Sequence, residues 1–175
     1  MTTKTTKDLY YSAWATAWGP MGAVMGEAGL RRIVLPHYPL QDLLALLAWE
    51  HPGTVKDDKP FDALTALTRD YFNGKGVDFS EVLCDLPGEG TLGGLVLRAC
   101  RKIPYGRTLS YHALAETIRR PDAARAVAGA LGKNGIPLVV PCHRVTYADG
   151  RLGGFSAPGG VDVKKRMLDL ERRGS

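Results

Sequence analysis

Cys142 and His143 stand side by side in the run Leu138-Val139-Val140-Pro141-Cys142-His143-Arg144-Val145. A deprotonated cysteine is a strong nucleophile, and histidine is the usual group that takes its proton. The pair admits three readings. It can be a packed cysteine beside a surface histidine. It can be the centre of a Cys-His hydrolase, which also needs an oxyanion hole and an Asn or Asp to orient the imidazole. It can be a single-use thiol acceptor.

The elements around the pair bear on that choice. Residues 138–140 are apolar, short and partly β-branched, which predicts a buried strand. Pro141 lacks a backbone donor and should end that strand or mark an edge. Cys142 would then emerge where a rigid element stops, held still yet reachable. Neighbouring side chains on an extended segment face opposite ways. His143 should therefore act on Cys142 through a water or a local bend, not by direct contact.

A chain of 175 residues buries one good core, or two small ones sharing an interface. Its 45% hydrophobic and 23% charged content is that of an ordinary soluble globular protein. No apolar run approaches the ~20 residues that span a bilayer. Residues 1–8 lack the apolar centre of a signal peptide, which predicts an intracellular protein with a few disordered N-terminal residues. Cys84, Cys100 and Cys142 are odd in number and lack Cys-x-x-Cys spacing, so neither a disulfide framework nor a zinc knuckle is expected. His37 and His51, near prolines, read as loop residues and not as metal ligands.

Charge is distributed unevenly. Residues 1–90 carry 8 Lys and Arg against 12 Asp and Glu, a net of −4, while residues 91–175 carry 15 against 6, a net of +9. The second half is suited to a polyanion, although a solvated basic surface would look the same.

Strands are predicted over residues 10–18 and 21–35, joined at Gly19-Pro20, with a further turn at Glu27-Ala28-Gly29. Helices are predicted over 41–50, with the leucines and Trp49 on the apolar face, and over 61–72, stopping at Asn73-Gly74. Residues 51–60 read as a polar loop and 77–83 as one more strand. This half is a small α/β unit with no concentration of chemical groups. Pro and Gly cluster at Leu86-Pro87-Gly88-Glu89-Gly90, where the charge also changes sign. A domain boundary is expected there, giving units at 1–86 and 87–175. The second unit is mostly helical: 91–102 capped by Thr91, 111–118 capped by Ser110, and 121–131 opening on Pro121. Two short helices with a tight connection in a basic region outline a helix-turn-helix. The second is almost all small residues around one long cation, Arg125. Tight helix packing would explain the alanines but does not call for Arg125. A DNA-reading helix of this composition would have little sequence preference.

Taken together, Ile103-Pro104-Tyr105-Gly106, Ser110-Tyr111, Ala124-Arg125-Ala126-Val127, Asn134, Pro141-Cys142-His143-Arg144-Val145, Gly153-Gly154-Phe155 and residues 165–171 closely resemble the O6-alkylguanine-DNA alkyltransferases. The first half fits that family's variable α/β domain only in outline. The resemblance implies a monomer that repairs duplex DNA by irreversible alkyl transfer from O6-alkylguanine to a cysteine. It implies base flipping and no turnover, with O4-alkylthymine a further candidate substrate. No cofactor, metal or membrane is implied, and the setting is cytoplasmic, or nuclear in a eukaryote. Carried over by motif, Cys142 is the acceptor and His143 its water-relayed base. Glu171 orients and polarises His143, and Asn134 holds the active-site turn. Tyr111 presses on the target's 3′ phosphate and is a candidate proton donor to the departing guanine. Arg125 fills the gap left by the flipped base, and Ala126, Ala128 and Gly129 lie against DNA. Leu131, Val145, Phe155 and Ser156 line the pocket, and Arg144 is structural. Departures from the family pattern are Leu92-Gly93 and Val96-Leu97 before Ile103, Ala128 in place of the usual glycine, and Gly135 in place of the usual proline. A non-catalytic lesion sensor or regulator is the alternative in the binding class. The retained Cys142 and the short chain count against it.

Overall fold

The computed structural model describes residues 8–174. The N-terminal residues expected to be disordered lie outside them, Asp8 excepted. The first half is built on a sheet in the order β3-β2-β1-β4. β1 (Tyr10–Thr16), β2 (Gly19–Gly26) and β3 (Gly29–Val34) form an antiparallel meander. β4 (Val55–Lys56), within the segment expected to be a loop, adds two residues parallel to β1. The first turn is Ala17-Trp18 and not Gly19-Pro20. Pro20 instead lies in β2 opposite Ala15, beyond the Gly22–Val34 pair where β3 ends. That end of the strand tolerates its missing donor.

α1 (Leu40–Glu50) buries Leu43 and Leu47 with Val24 and Val34 on one face of the sheet. Each such leucine contributes about 1.5–3 kcal/mol. Trp49 is 78% exposed, contrary to expectation. It lies about 200° around the helix from Leu47, so it faces outward. α2 (Asp62–Phe72) buries Leu64, Thr68, Tyr71 and Phe72. It is anchored to β1 by a 2.8 Å hydrogen bond from Trp14 Nε1 to Thr68 Oγ1. Residues 77–83 are not a strand. Arg101 Nη2 from the second half donates to the Phe79 and Ser80 carbonyls, so these acceptors are satisfied without a sheet partner.

In the second half, α3 (Leu92–Cys100) begins at Thr91, whose hydroxyl accepts from Gly94 N at 3.0 Å. β5 (Leu109–Ser110) leads into α4 (Tyr111–Thr117), where Ser110 Oγ caps Ala113 N at 3.0 Å. Both caps are as the sequence predicts. The helix expected from Pro121 starts as a 3₁₀ turn, Pro121–Ala123, and becomes α5 (Ala124–Leu131). α4 and α5 pack on each other as a helix-turn-helix. β6 (Val145–Thr146) pairs in parallel with β5, and α6 (Gly160–Arg173) closes the chain.

Residues 138–140 are buried but are not a strand. Leu138 has φ of +77°, and Pro137 and Val140 bridge across a turn closed by Val140 N donating to Ile136 O at 2.9 Å. Prolines at 137 and 141 remove two ladder donors, so the run folds back as a buried loop.

Side chains from both halves join one buried cluster, including Trp14, Leu30 and Tyr71 from the first and Val96, Leu114, Val140 and Met167 from the second. Among the described residues no helix is long and apolar enough to cross a membrane.

Candidate active site

Cys142 opens a 3₁₀ turn, Cys142–Arg144, directly after Pro141. This replaces the extended geometry expected from the sequence, so the opposite-faces argument for His143 does not apply here. Asn134, three residues past α5, fixes the turn from one amide. Its Nδ2 donates to Val140 O at 2.9 Å and to Cys142 Sγ at 3.2 Å, and its Oδ1 accepts from Ile136 N at 3.0 Å. Next to it, Gly135 O accepts from Ile33 N of β3 at 2.9 Å. The loop is thus tied to the sheet of the first half.

His143 and Glu171 are fully buried, and His143 Nε2 lies 2.6 Å from Glu171 Oε1. Arg144 also binds the carboxylate, with Nε 3.0 Å from Oε2 and Nη2 3.0 Å from Oε1, while its Nη1 donates to Ile103 O. Gly106 N donates to Oε2 at 3.1 Å and Tyr71 Oη to Oε1 at 2.9 Å. Burial pushes the Glu171 pKa up, but the His143 and Arg144 donors outweigh it and hold the pKa at about 2. The carboxylate is therefore ionised and Nε2 must be the protonated nitrogen. Burial lowers the pKa of His143 despite the attraction of Glu171. Arg144 already neutralises that carboxylate, and a second buried cation would have no counter-charge. His143 is thus neutral, with its free lone pair on Nδ1. Nδ1 is buried and has no protein hydrogen-bond partner among the described residues. An oriented imidazole with one free nitrogen is what a proton acceptor requires.

The thiol itself is held back. Burial raises the Cys142 pKa, opposed by the Asn134 amide and by the charge of Lys164. Lys164, fully buried on α6, donates to Val145 O at 2.7 Å and Gly154 O at 3.2 Å. Burial lowers its own pKa, while the two neighbouring thiols, Cys142 and Cys100, favour its charged form.

Cys142 forms part of the wall of a cavity of about 330 Å³, at the lower end of the roughly 300–1,000 Å³ typical of small-molecule sites. Of the expected pocket residues, Leu131, Phe155 and Ser156 line it, as do Tyr111 and Ala128. Val145 does not; it is buried in β6. The Tyr111 ring packs on that of Tyr147, centroids 5.1 Å apart, and burial raises the Tyr111 pKa. Gly153 has φ of +70°, and a Cβ there would overlap the Tyr111 hydroxyl, so this glycine is required on two counts. Arg125, Ala126 and Gly129 are exposed on α5, away from the thiol but on the helix that supplies Ala128 and Leu131 to the cavity. The structure therefore brings together Cys142, His143, Glu171 and Asn134, with Tyr111 across the cavity.

Sequence reasoning missed Tyr147, Lys164 and Tyr71. Lys164 had a signal: residues 164, 167, 168 and 171 follow the buried period of a helix, which marks Lys164 and Glu171 as inward-facing charges. Tyr147 had none, and Tyr71 had only the burial implied by the period of α2.

A larger cavity, about 990 Å³, lies behind the same loop, between residues 76–80 and 98–105. Of its arginines, Arg98 donates to Pro87 O and Gly94 O, Arg101 Nη2 donates to Phe79 O and Ser80 O, and Arg144 is bound to Glu171. We place the chemistry at the smaller cavity, whose wall holds the Cys142 thiol and Tyr111. Among the described residues no group of three or more His, Cys, Asp or Glu could hold a metal ion. Of the departures from the family pattern, a Cβ at Gly93 would make only an ordinary contact with Pro87, Leu97 is buried in the core, and Gly135 lies against the Arg31 carbonyl.

Residues 94–173 match the family described as "6-O-methylguanine DNA methyltransferase, DNA binding domain". The chain is 43% identical over 123 residues to a methylated-DNA–protein-cysteine methyltransferase of Mycolicibacterium paratuberculosis, covering 70% of this chain and 72% of that protein. It is 34% identical over 165 residues to a protein of the same name from Methanosarcina barkeri, covering 93% and 97%. Its structure superposes on Mycobacterium tuberculosis OGT in complex with DNA with a TM-score of 0.75 at 30% identity, covering 95% of this chain and 94% of that one.

Proposed function

This chain belongs to the methylated-DNA–protein-cysteine methyltransferase family of DNA-binding, DNA-repair alkyl transferases, and from that premise we propose that Cys142 takes the alkyl group of O6-alkylguanine once and irreversibly. The observation that carries this reading is the Cys142 thiol in the wall of a base-sized cavity, with the next residue, His143, oriented by Glu171 and kept neutral by burial.

The Cys142 proton passes through a water to His143 Nδ1, while Asn134 Nδ2 and the Lys164 charge support the thiolate. The sulfur attacks the alkyl carbon, an S–C bond forms and the C–O6 bond breaks, leaving its electron pair on guanine. The guanine is neutralised by a proton from Tyr111, whose burial keeps the phenol protonated, and the proton on His143 returns to Tyr111 through solvent. The thioether is stable at neutral pH, so each molecule acts once.

The target atom is unreachable inside a duplex, and Cys142 is only 6% exposed, so the nucleotide is extruded into the cavity at a cost of a few kcal/mol. Arg125, exposed on α5, occupies the vacated stack, and Ala126, Ala128 and Gly129 let the helix approach the groove. We propose that the chain acts as a monomer in the cytoplasm, with units at 1–86 and 87–175. O4-alkylthymine remains a further candidate substrate.

The test is a titration of methylated duplex with protein, combined with Arg125→Ala. We expect transfer to stop at one alkyl group per molecule. Arg125→Ala should slow transfer from duplex by about 10-fold or more, the scale of losing 1.4 kcal/mol of support for the extruded state. Transfer from the free alkylated base should hardly change. Multiple turnover, or equal losses on both substrates, would overturn the corresponding part of the proposal.

A further inference from the structure

The first half of the chain, which carries no chemistry legible in its sequence, touches the proton relay through Tyr71. Tyr71 on α2 is fully buried, and its hydroxyl donates to Glu171 Oε1 at 2.9 Å across 100 residues of sequence. That oxygen is the one facing His143 Nε2 at 2.6 Å. A buried phenol needs some partner, so a hydrogen bond alone would be unremarkable. The choice of atom is what matters. A further donor on Oε1, beside His143 and Arg144, fixes where the oxygen lies and draws charge from it, weakening its pull on the imidazole N–H.

The ring is held firmly enough to do this. It packs edge-on against Phe72 at 5.1 Å and Tyr105 at 6.0 Å, and against Phe79 at 6.2 Å. Burial, then the charge of Glu171, pushes the Tyr71 pKa well above its ordinary value, so it stays a donor across the working range. The other charged or titratable groups facing this cluster are Arg144 from the 3₁₀ turn, Tyr105 from the loop after α3, and Lys164 from α6, which acts on His143 through its charge. Arg144 grips both carboxylate oxygens, whereas Tyr71 bonds only the oxygen shared with His143.

We infer that Tyr71 is a positioning residue of the acceptor site: its hydroxyl aims Glu171 Oε1 at His143 and tempers how strongly that carboxylate pulls on the imidazole. The N-terminal half thereby sets the strength of the base that serves Cys142. This rests on the reading of His143 as that base.

The test is Tyr71→Phe in the full chain, which keeps the ring packing and removes only the hydroxyl. Tyr105→Phe, which removes a buried hydroxyl without a hydrogen bond to Glu171, is the control. The titration of the His143 ring is followed by NMR, and single-turnover transfer is followed against pH. In Tyr71→Phe the His143 pKa should rise by about 0.5–1 unit, the order expected when a carboxylate loses one donor and leans on the next. The acid limb of the transfer profile should rise with it, and duplex affinity should be unchanged. Tyr105→Phe should leave the His143 titration where it is. An unmoved His143 titration, or the same shift in Tyr105→Phe, overturns the inference and leaves Tyr71 a packing residue. If His143 shifts but the transfer profile does not follow, the coupling through Tyr71 stands and the relay reading of transfer falls.

Discussion

Replacing Glu171 by Gln removes one charge and almost no volume from a cluster in which Glu171 is 1% exposed and Arg144 5% exposed. Arg144 would keep its charge, because guanidinium does not deprotonate in a protein. It would face a neutral amide where the carboxylate now meets its Nε at 3.0 Å and Nη2 at 3.0 Å. Removing one partner of a buried ion pair costs about 3–5 kcal/mol, most of it the uncompensated charge. In a chain of this size each kcal/mol moves the melting temperature by about 2–4 °C, so a fall of about 6–20 °C is expected. His143 would also lose the charge that fixes its tautomer, and alkyl transfer should slow by about 100-fold or more, the lower range for loss of a general base. The assays are thermal unfolding and single-turnover transfer on the same preparation. The double variant Glu171→Gln/Arg144→Leu should recover part of the lost stability, since no unpaired charge is left buried, but none of the transfer. A melting temperature within about 2 °C of the parent, against the cost expected for a buried unpaired charge, would refute the reasoning. So would a double variant less stable than Glu171→Gln.

Two further predictions concern backbone and pH. Gly153→Ala should destabilise the protein by about 1–3 kcal/mol through its positive φ and also slow transfer, because the new methyl group displaces the Tyr111 hydroxyl; stability loss with unchanged transfer would separate Tyr111 from the chemistry. His143 has a folded pKa below its ordinary 6.5, so the unfolded chain takes up a proton that the folded chain refuses, and stability should fall as pH drops below 6.5. Glu171, at about 2 when folded against 4.5 unfolded, adds a further loss from pH 4.5 down to about 2. Urea midpoints from pH 8 to 4 check this, and a midpoint that rose on acidification through pH 6 would mean a protonated His143.

The parts of the site legible in the sequence are those with local signals. Thr91 and Ser110 announce helix starts because capping is decided within three residues, and both caps are made. The Cys-His pair drew attention through its residue types. The strand expected at 138–140 does not form, for a local reason: prolines on both sides leave little ladder to form, and Leu138 adopts a positive φ. Apolar content predicted burial correctly and backbone shape wrongly. Residues 77–83 failed for a non-local reason, since their carbonyls are claimed by Arg101, the residue just after α3. Tyr71 is the extreme case. Its position on the buried face of α2 is written in the 3.6 period, but its partner lies 100 residues away, and no window of sequence contains both.

The transfer itself is tested most directly at the sulfur. The intact protein is incubated with duplex DNA containing O6-methylguanine, digested, and its cysteine peptides are weighed by mass spectrometry. One added methyl group on the peptide containing Cys142, with guanine restored in the DNA, is the predicted result. An unmodified Cys142, or a methyl group on Cys84 or Cys100, would contradict it.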